Sequence, residues 1–256
     1  MKFVLLNMLS IVLMGTGNVA HHLFDAFYQK VEIKVEQVFG RSSNELAKFA
    51  SKCDTTTNPK DIIDANVYII AISDTAIGEV SKLLKDKKGL VVHTSGGTSI
   101  DSICTERKGV FYPLQTFTKG KKVDFTNIPI CIETHHKKDV AVLRFLAEKI
   151  SKVVYEVSSK QREKLHLAAV FVNNFTNHMY TIGSEICKKE GLPMQLLHPL
   201  LKETVSKLVD LNPSEAQTGP AKRNDILIMQ KHLDSLDNPL HKKIYQLISE
   251  SIKEKK

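Results

Sequence analysis

A run of four apolar residues, Ile11-Val12-Leu13-Met14, gives way without a linker to Gly15-Thr16-Gly17-Asn18-Val19-Ala20, where a helical pattern starts. A buried strand that becomes a helix across two glycines restricts the chain to a βαβ turn built to approach a phosphate. Gly15 permits the tight bend, Gly17 removes the side chain that would hold the backbone off a pyrophosphate, and Ala20 lets helix and strand pack closely. The helix start then offers free N–H groups and the positive end of its dipole.

In the NAD form of this pattern, an acidic residue about twenty positions further on binds the ribose 2′-OH. Here the second apolar run, Val35 to Phe39, is followed by Gly40-Arg41-Ser42-Ser43. A guanidinium and two hydroxyls suit a 2′-phosphate, which a carboxylate would repel. The expected cofactor is NADP(H), with Gly15, Thr16, Gly17, Asn18 and Val19 at its pyrophosphate and Arg41, Ser42 and Ser43 at its 2′-phosphate. The plain alternative for Arg41 is a solvated surface arginine.

Up to residue 158, short β-branched runs alternate with helical stretches, the pattern of a doubly wound, mainly parallel α/β sheet. Strands are expected at 10–14, 35–39, 67–72, 90–93, 110–112, 128–132 and 153–157, with a weakly marked one near 55–57. Helices are expected near 19–28, 44–52, 76–84 and 138–150. Beyond Ser158 the chain reads as helical throughout, with helices at 161–187, 194–209, 225–236 and 239–252. The composition change predicts a cofactor-binding domain over 1–158 and an all-helical domain for substrate and dimerisation over 159–256.

Two further loops leave the carboxyl ends of expected strands, where ligands of open α/β sheets bind. Ile72-Ser73 is expected beside the cofactor, with Asp74 capping the next helix. Thr94-Ser95-Gly96-Gly97 is expected to hold the nicotinamide side through Thr94 and Ser95 and a substrate through Gly96 and Gly97, a plain turn being the alternative. Gln115, after Tyr112-Pro113-Leu114, is expected to face the same cleft.

The 161–187 helix carries His166, Asn173, Asn177 and Tyr180 at i, i+7, i+11 and i+14, where periodicity predicts burial. Buried amides and imidazoles need partners or a ligand. His166 reads either as a satisfied core histidine or as a proton donor near neutral pH, with Asn173 orienting the acceptor and Asn177 on the substrate side. In Thr218-Gly219-Pro220-Ala221-Lys222-Arg223, the two cations suit an anionic substrate. Asp225 suits a helix cap.

The formal net charge is +8, with lysine clusters at 119–122, 137–138 and 253–256. None is interleaved with aromatics able to stack on bases, so a solvated surface is expected and no nucleic-acid partner. Cys53, Cys104, Cys131 and Cys187 lack metal spacing; free thiols in a reducing, cytoplasmic setting and no metal are expected. Residues 1–14 superficially resemble a secretory signal, but cleavage after Ala20 would destroy the glycine turn, and Met1 to Leu9 has no assigned role. No apolar run reaches membrane-spanning length.

Together, Gly15–Ala20, Ile70-Ala71-Ile72-Ser73-Asp74, Val92-His93-Thr94-Ser95-Gly96, Phe111–Phe117, His166–Tyr180 and Thr218–Asp225 resemble the Rossmann-like NADP oxidoreductases with a helical C-terminal domain of unknown function. These are relatives of the hydroxyacid dehydrogenase, ketopantoate reductase and pyrroline-5-carboxylate reductase group. The resemblance covers nearly the whole chain and implies no particular substrate. Ser95-Gly96-Gly97 is similar to the substrate loop of hydroxyacid dehydrogenases, whereas the lysine–asparagine pair of their catalytic helix is not matched. The expectation is an NADP-dependent oxidoreductase acting on a small anionic carbonyl, hydroxy or imine substrate, assembled as a homodimer through its C-terminal helices. The competing reading is a non-catalytic NADP-binding sensor.

Overall fold

The computed structural model describes residues 8–254; most of the Met1–Leu9 segment and the last two lysines of the basic tail lie outside them. The described chain forms two compact units that divide between Val172 and Asn173. No helix among the described residues is long and apolar enough to cross a membrane.

The first unit holds eight strands: β1 Leu9–Met14, β2 Ile33–Phe39, β3 Asp54–Thr56, β4 Val67–Ile70, β5 Leu90–His93, β6 Lys108–Pro113, β7 Ile130–Thr134 and β8 Val154–Glu156. They make one sheet in the order β3-β2-β1-β4-β5-β6-β7-β8. Every neighbouring pair is parallel except β6 and β7. The first six follow the doubly wound dinucleotide-binding order, whose crevice opens where β1 meets β4. The link from β6 to β7 contains no helix, so it lacks the usual crossover of a parallel pair, and the chain turns back antiparallel.

The central strands are largely apolar because both faces are covered. In β1, Ile11 and Leu13 enter one core with Phe24 and Phe27, while Val12 and Met14 enter the opposite core with Ile77 and Leu84. That two-residue alternation points successive side chains to opposite faces. It continues in β4, where Val67 and Ile69 join the first core and Tyr68 and Ile70 the second.

Four helices flank the sheet: α1 Asn18–Tyr28, α2 Ser43–Leu46, α3 Ile77–Lys82 and α4 Val140–Glu148. The expected 44–52 helix is regular only as far as Leu46. From there i→i+3 bonds, Phe49 N–H to Leu46 C=O and Lys52 N–H to Phe49 C=O, take over and bury Phe49. A fifth helix, α5 Ser159–Ala169, starts in a capping box between Ser158 and Gln161.

The expected continuous helix over 161–187 instead contains a π-helical turn, Val170–Phe175, before α6 Thr176–Lys189. A π turn holds more residues than an α turn, so the 3.6-residue count behind the expected polar stripe does not carry through it. The second unit continues with α7 His198–Asp210, α8 Pro213–Ala216, α9 Pro220–Arg223, α10 Ile226–Ser235 and α11 Pro239–Glu254. Gly191, at φ +67°, ends α6, and the Asp225 carboxylate accepts the Ile228 N–H at the start of α10, as expected for its cap.

Candidate active site

The glycine turn lies at the carboxyl end of β1. Gly15 has φ +131°, and a Cβ there would stand 2.3 Å from the Ala71 carbonyl oxygen and 2.7 Å from Cγ2 of Ile72. Only glycine meets both conditions. Gly17 immediately precedes α1, and a Cβ on it would meet nothing within 4 Å. That open space in front of the α1 start is what a pyrophosphate resting on backbone N–H groups requires. Asn18 is held by donating Nδ2–H to the Phe117 carbonyl at 3.0 Å.

The loop after β2 closes onto this turn. The Gly15 N–H donates to the Phe39 carbonyl at 2.8 Å, and a Cβ on Gly40 would come within 2.7 Å of Thr16 Cγ2. Arg41, Ser42 and Ser43 are all exposed beside it. Ser42 Oγ accepts the Glu45 N–H at 3.4 Å as the cap of α2, so one hydroxyl read as a phosphate ligand also has a local structural duty. These residues fit a dinucleotide carrying a 2′-phosphate.

At the end of β4, Ser73 is exposed and precedes a short 3-10 turn, Asp74–Ala76. The residue ahead of the turn is Ser73, whose side chain makes no capping bond; Asp74 is the turn's first residue, and its Oδ2 lies 3.9 Å from where a Cβ on Gly97 would sit. This corrects the expectation that Asp74 caps a helix. The 3-10 turn places it inside the helix start instead of ahead of it.

The loop after β5 is tied down from below. His93 is fully buried; its Nδ1 accepts the Ser95 N–H at 3.2 Å, which places the ring proton on Nε2, 3.3 Å from the Ser99 carbonyl. Burial first, and then the Arg162 charge, push the His93 pKa down to about 4, so this ring stays neutral. Ser95 Oγ accepts the N–H groups of Gly97 and Thr98 at 3.1 and 3.0 Å. Thr94 is anchored through its N–H to the Ile70 carbonyl at 3.1 Å.

Above this loop stands His166. The Tyr112 hydroxyl, from β6, lies 3.1 Å from His166 Nδ1. A Cβ on Gly96 would come within 2.5 Å of that nitrogen and 2.7 Å of Tyr112 Cζ. Gly96 is therefore the residue that lets histidine and tyrosine close over the loop. Burial pushes the Tyr112 pKa up to about 12, so it is a phenol across the neutral range.

One turn before His166 on α5, Arg162 is fully buried. It pairs with Glu133 of β7, donates to the Thr98 carbonyl, and reaches Ser159 Oγ at 3.2 Å. Glu133 in turn accepts the Ser159 N–H and hydroxyl, each at 2.8 Å. This network fastens the 94–99 loop to the helix that carries His166. Sequence reading missed Arg162, Glu133 and the part played by Tyr112. The available signal was the i, i+4 spacing of Arg162 and His166, which puts both on one helix face.

The remaining expected residues lie elsewhere. Gln115 is exposed, with Oε1 turned back to accept the Thr116 N–H at 2.8 Å. Asn173 and Asn177 belong to the second unit and are exposed there, against the expectation of burial. Asn177 lines a shallow cavity of about 330 Å³ with Tyr180 and Ser184. Lys222 is half-buried and Arg223 exposed on α9, which sits between Gly219 at φ +107° and Asn224 at φ +56°.

Residues 128–252 match the profile of a domain of unknown function, DUF2520. A solved structure from Bacteroides fragilis, described as a candidate NADP oxidoreductase, is 39% identical over 97% of this chain and 99% of its own, with a TM-score of 0.90. The chain belongs to that family of Rossmann-like NADP oxidoreductases. No curated protein sequence matches it. The family's fold is shared more distantly by a pyrroline-5-carboxylate reductase from Coxiella burnetii, at 18% identity over 97% of this chain and 93% of that one, with a TM-score of 0.59. An imine reductase from Myxococcus stipitatus, solved with NADP+, shares it at 14% identity over 96% and 92%, with a TM-score of 0.63.

Proposed function

We propose that this oxidoreductase uses NADP(H) to move a hydride to or from the carbon of a small anionic carbonyl, hydroxy or imine compound. The observation that supports this most directly is the His166–Tyr112 pair, set over the Ser95–Gly97 loop at the carboxyl end of the sheet. The nicotinamide supplies the hydride when bound; the chain supplies binding, orientation and a proton. The Gly15–Val19 turn takes the pyrophosphate, and Arg41 with Ser43 takes the 2′-phosphate. Ile72, Ser73, Thr94 and Ser95 border the rest of the cofactor, with Gly96 and Gly97 on the substrate side.

His166 then acts through Nε2. In its protonated form, Nδ1–H donates to the Tyr112 oxygen while Nε2–H gives its proton to the oxygen or nitrogen beside the reacting carbon. In oxidation the same Nε2 takes that proton back. Tyr112 holds the ring and keeps its own proton throughout, because burial disfavours the phenolate.

Fluorescence titration with NADPH and NADH, followed by turnover against a panel of keto acids and cyclic imines, tests this reading. Arg41→Ala is expected to weaken NADPH binding by about tenfold or more, the scale of one lost charge-assisted contact, while leaving NADH unchanged. His166→Ala is expected to bind NADPH normally and to oxidise it no faster than buffer. NADPH that binds yet is oxidised with no member of the panel would favour the sensor reading.

The helical unit is proposed to form a homodimer. Leu196, Leu200, Val205, Val209, Leu227 and Leu247 all stand exposed on it, and a second copy would cover such apolar side chains. Sedimentation at micromolar concentration giving only monomer would end that proposal.

A further inference from the structure

Beside α1 the first unit has a cavity of about 690 Å³, whose lining includes neither His166 nor any residue of the 94–99 loop. Six lysines line it: Lys30 from the turn after α1, Lys48 and Lys52 from the segment after α2, and Lys119, Lys121 and Lys122 from the link between β6 and β7. Two acids share the lining with them, Asp25 and Asp124. Asp25 lies 3.8 Å from Lys52, and Asp124 is occupied by the N–H and hydroxyl of Thr126 at 2.9 and 2.6 Å. Lys48 pairs with Glu45, and Lys119 stands 3.9 Å from the same carboxylate. Lys30, Lys121 and Lys122 make no ion pair among the described residues.

Two histidines complete the lining. The Nε2 atoms of His21 and His22 are buried without a hydrogen-bond partner, the nearest acid to His21 being Glu45 at 3.9 Å. Buried polar atoms without partners are uncommon in folded proteins. Their rings are fixed by carbon neighbours, His21 stacked on Phe49 and His22 edge-on to Phe117, and not by polar contacts. The cavity thus gathers six lysines from separate chain segments, three of them outside any ion pair among the described residues, beside two histidine side chains, in a volume typical of small-molecule sites. Cations on several walls with few acids among them concentrate a positive field in the space they enclose.

We propose that this cavity binds a polyphosphate anion, either inorganic or the phosphate chain of a nucleoside di- or triphosphate. Several charges on one compact ligand are needed to reach cations on opposing walls, and lysine meets phosphate oxygens as a point charge. Of the residues assigned to the cofactor turn, only Asn18 also lines this cavity, so the two ligands are read as occupying separate sites. The cluster at 119–122 then belongs to a binding site and is not merely solvated surface.

The experiment is calorimetric titration of the full chain with tripolyphosphate and with ATP, in the absence of NADPH and at NADPH saturation. Lys121→Glu/Lys122→Glu is expected to weaken tripolyphosphate binding by about tenfold or more, as for two lost charge contacts, with NADPH affinity within about twofold of wild type. Arg41→Ala is expected to do the reverse. Lys137→Glu/Lys138→Glu, reversing a cluster outside the cavity, is expected to leave both unchanged. Equal affinity for tripolyphosphate and ATP would identify a free polyphosphate as the ligand; ATP about tenfold tighter would identify a nucleotide. The proposal is overturned by no tripolyphosphate binding, by its abolition at NADPH saturation or in Arg41→Ala, or by an equal loss in the 137/138 variant. None of those results bears on hydride transfer, which the His166→Ala test addresses separately.

Discussion

The Tyr112 hydroxyl reaches His166 Nδ1 at 3.1 Å, joining the end of β6 to α5 directly above the glycine loop of β5. If this contact holds the imidazole for proton transfer, neutral His166 carries its proton on Nδ1. In Tyr112→Phe that preference is lost, and nitrogen NMR should show the ring moving towards the Nε2–H form. Turnover should fall about 10²-fold, the range of a misplaced general acid, with NADPH affinity unchanged. A variant that keeps both the wild-type tautomer and the wild-type rate would remove Tyr112 from the mechanism.

Gly96 and Gly97 are neighbours with opposite tolerance. A methyl on Gly96 would meet His166 at 2.5 Å, whereas one on Gly97 finds nothing closer than 3.7 Å. Gly96→Ala is expected to lose about 1–3 kcal/mol, the usual cost of overpacking, and Gly97→Ala much less. Thermal unfolding of the two side by side decides it; equal midpoints would mean that the loop simply moves aside.

His93 makes stability depend on pH. Its folded pKa of about 4 lies below the ordinary 6.5, so between those values the unfolded chain binds a proton that the folded chain refuses. Stability is therefore complete above pH 6.5 and falls as pH drops towards 4, by at most about 1.4 kcal/mol per unit from this residue. Urea titrations at successive pH values should show that slope flattened in His93→Gln. An unchanged slope would assign the acid sensitivity to other groups.

Fully buried Arg162 pairs with the partly exposed Glu133 and also orders the loop. Arg162→Met should cost about 1–3 kcal/mol, because it leaves the Glu133 carboxylate and the Thr98 carbonyl without their charged donor. Glu133→Gln added to it should return part of that loss in chemical denaturation. A double variant no more stable than the single one would argue that Arg162 matters for packing alone.

Much of the first unit could be read along the chain. Burial on both faces makes parallel strands continuous apolar runs, so 90–93 was expected residue for residue, and β1, β4 and β6 within a few positions. The glycine turn was equally legible, because a tight bend with positive φ and a close approach to the neighbouring strand end are demands on local backbone that only glycine meets. The π turn at 170–175 was not legible, since it changes the helical count without any glycine or proline to mark it. Nor was the shortness of α2, where helical periodicity persists although the bonds tighten to i→i+3.

The sequence by itself determined the order of elements in the sheet and the glycine turn at the end of β1, because these follow from periodicity and backbone permissiveness within a few neighbouring positions. Tertiary structure alone decided that His166 meets Tyr112, that Arg162 reaches Glu133 and Thr98, and that lysines from three separate segments surround one cavity. Those pairings join residues from 29 to 64 positions apart for the site. No local rule of propensity or spacing relates such positions until the sheet order has placed their strands and helices side by side.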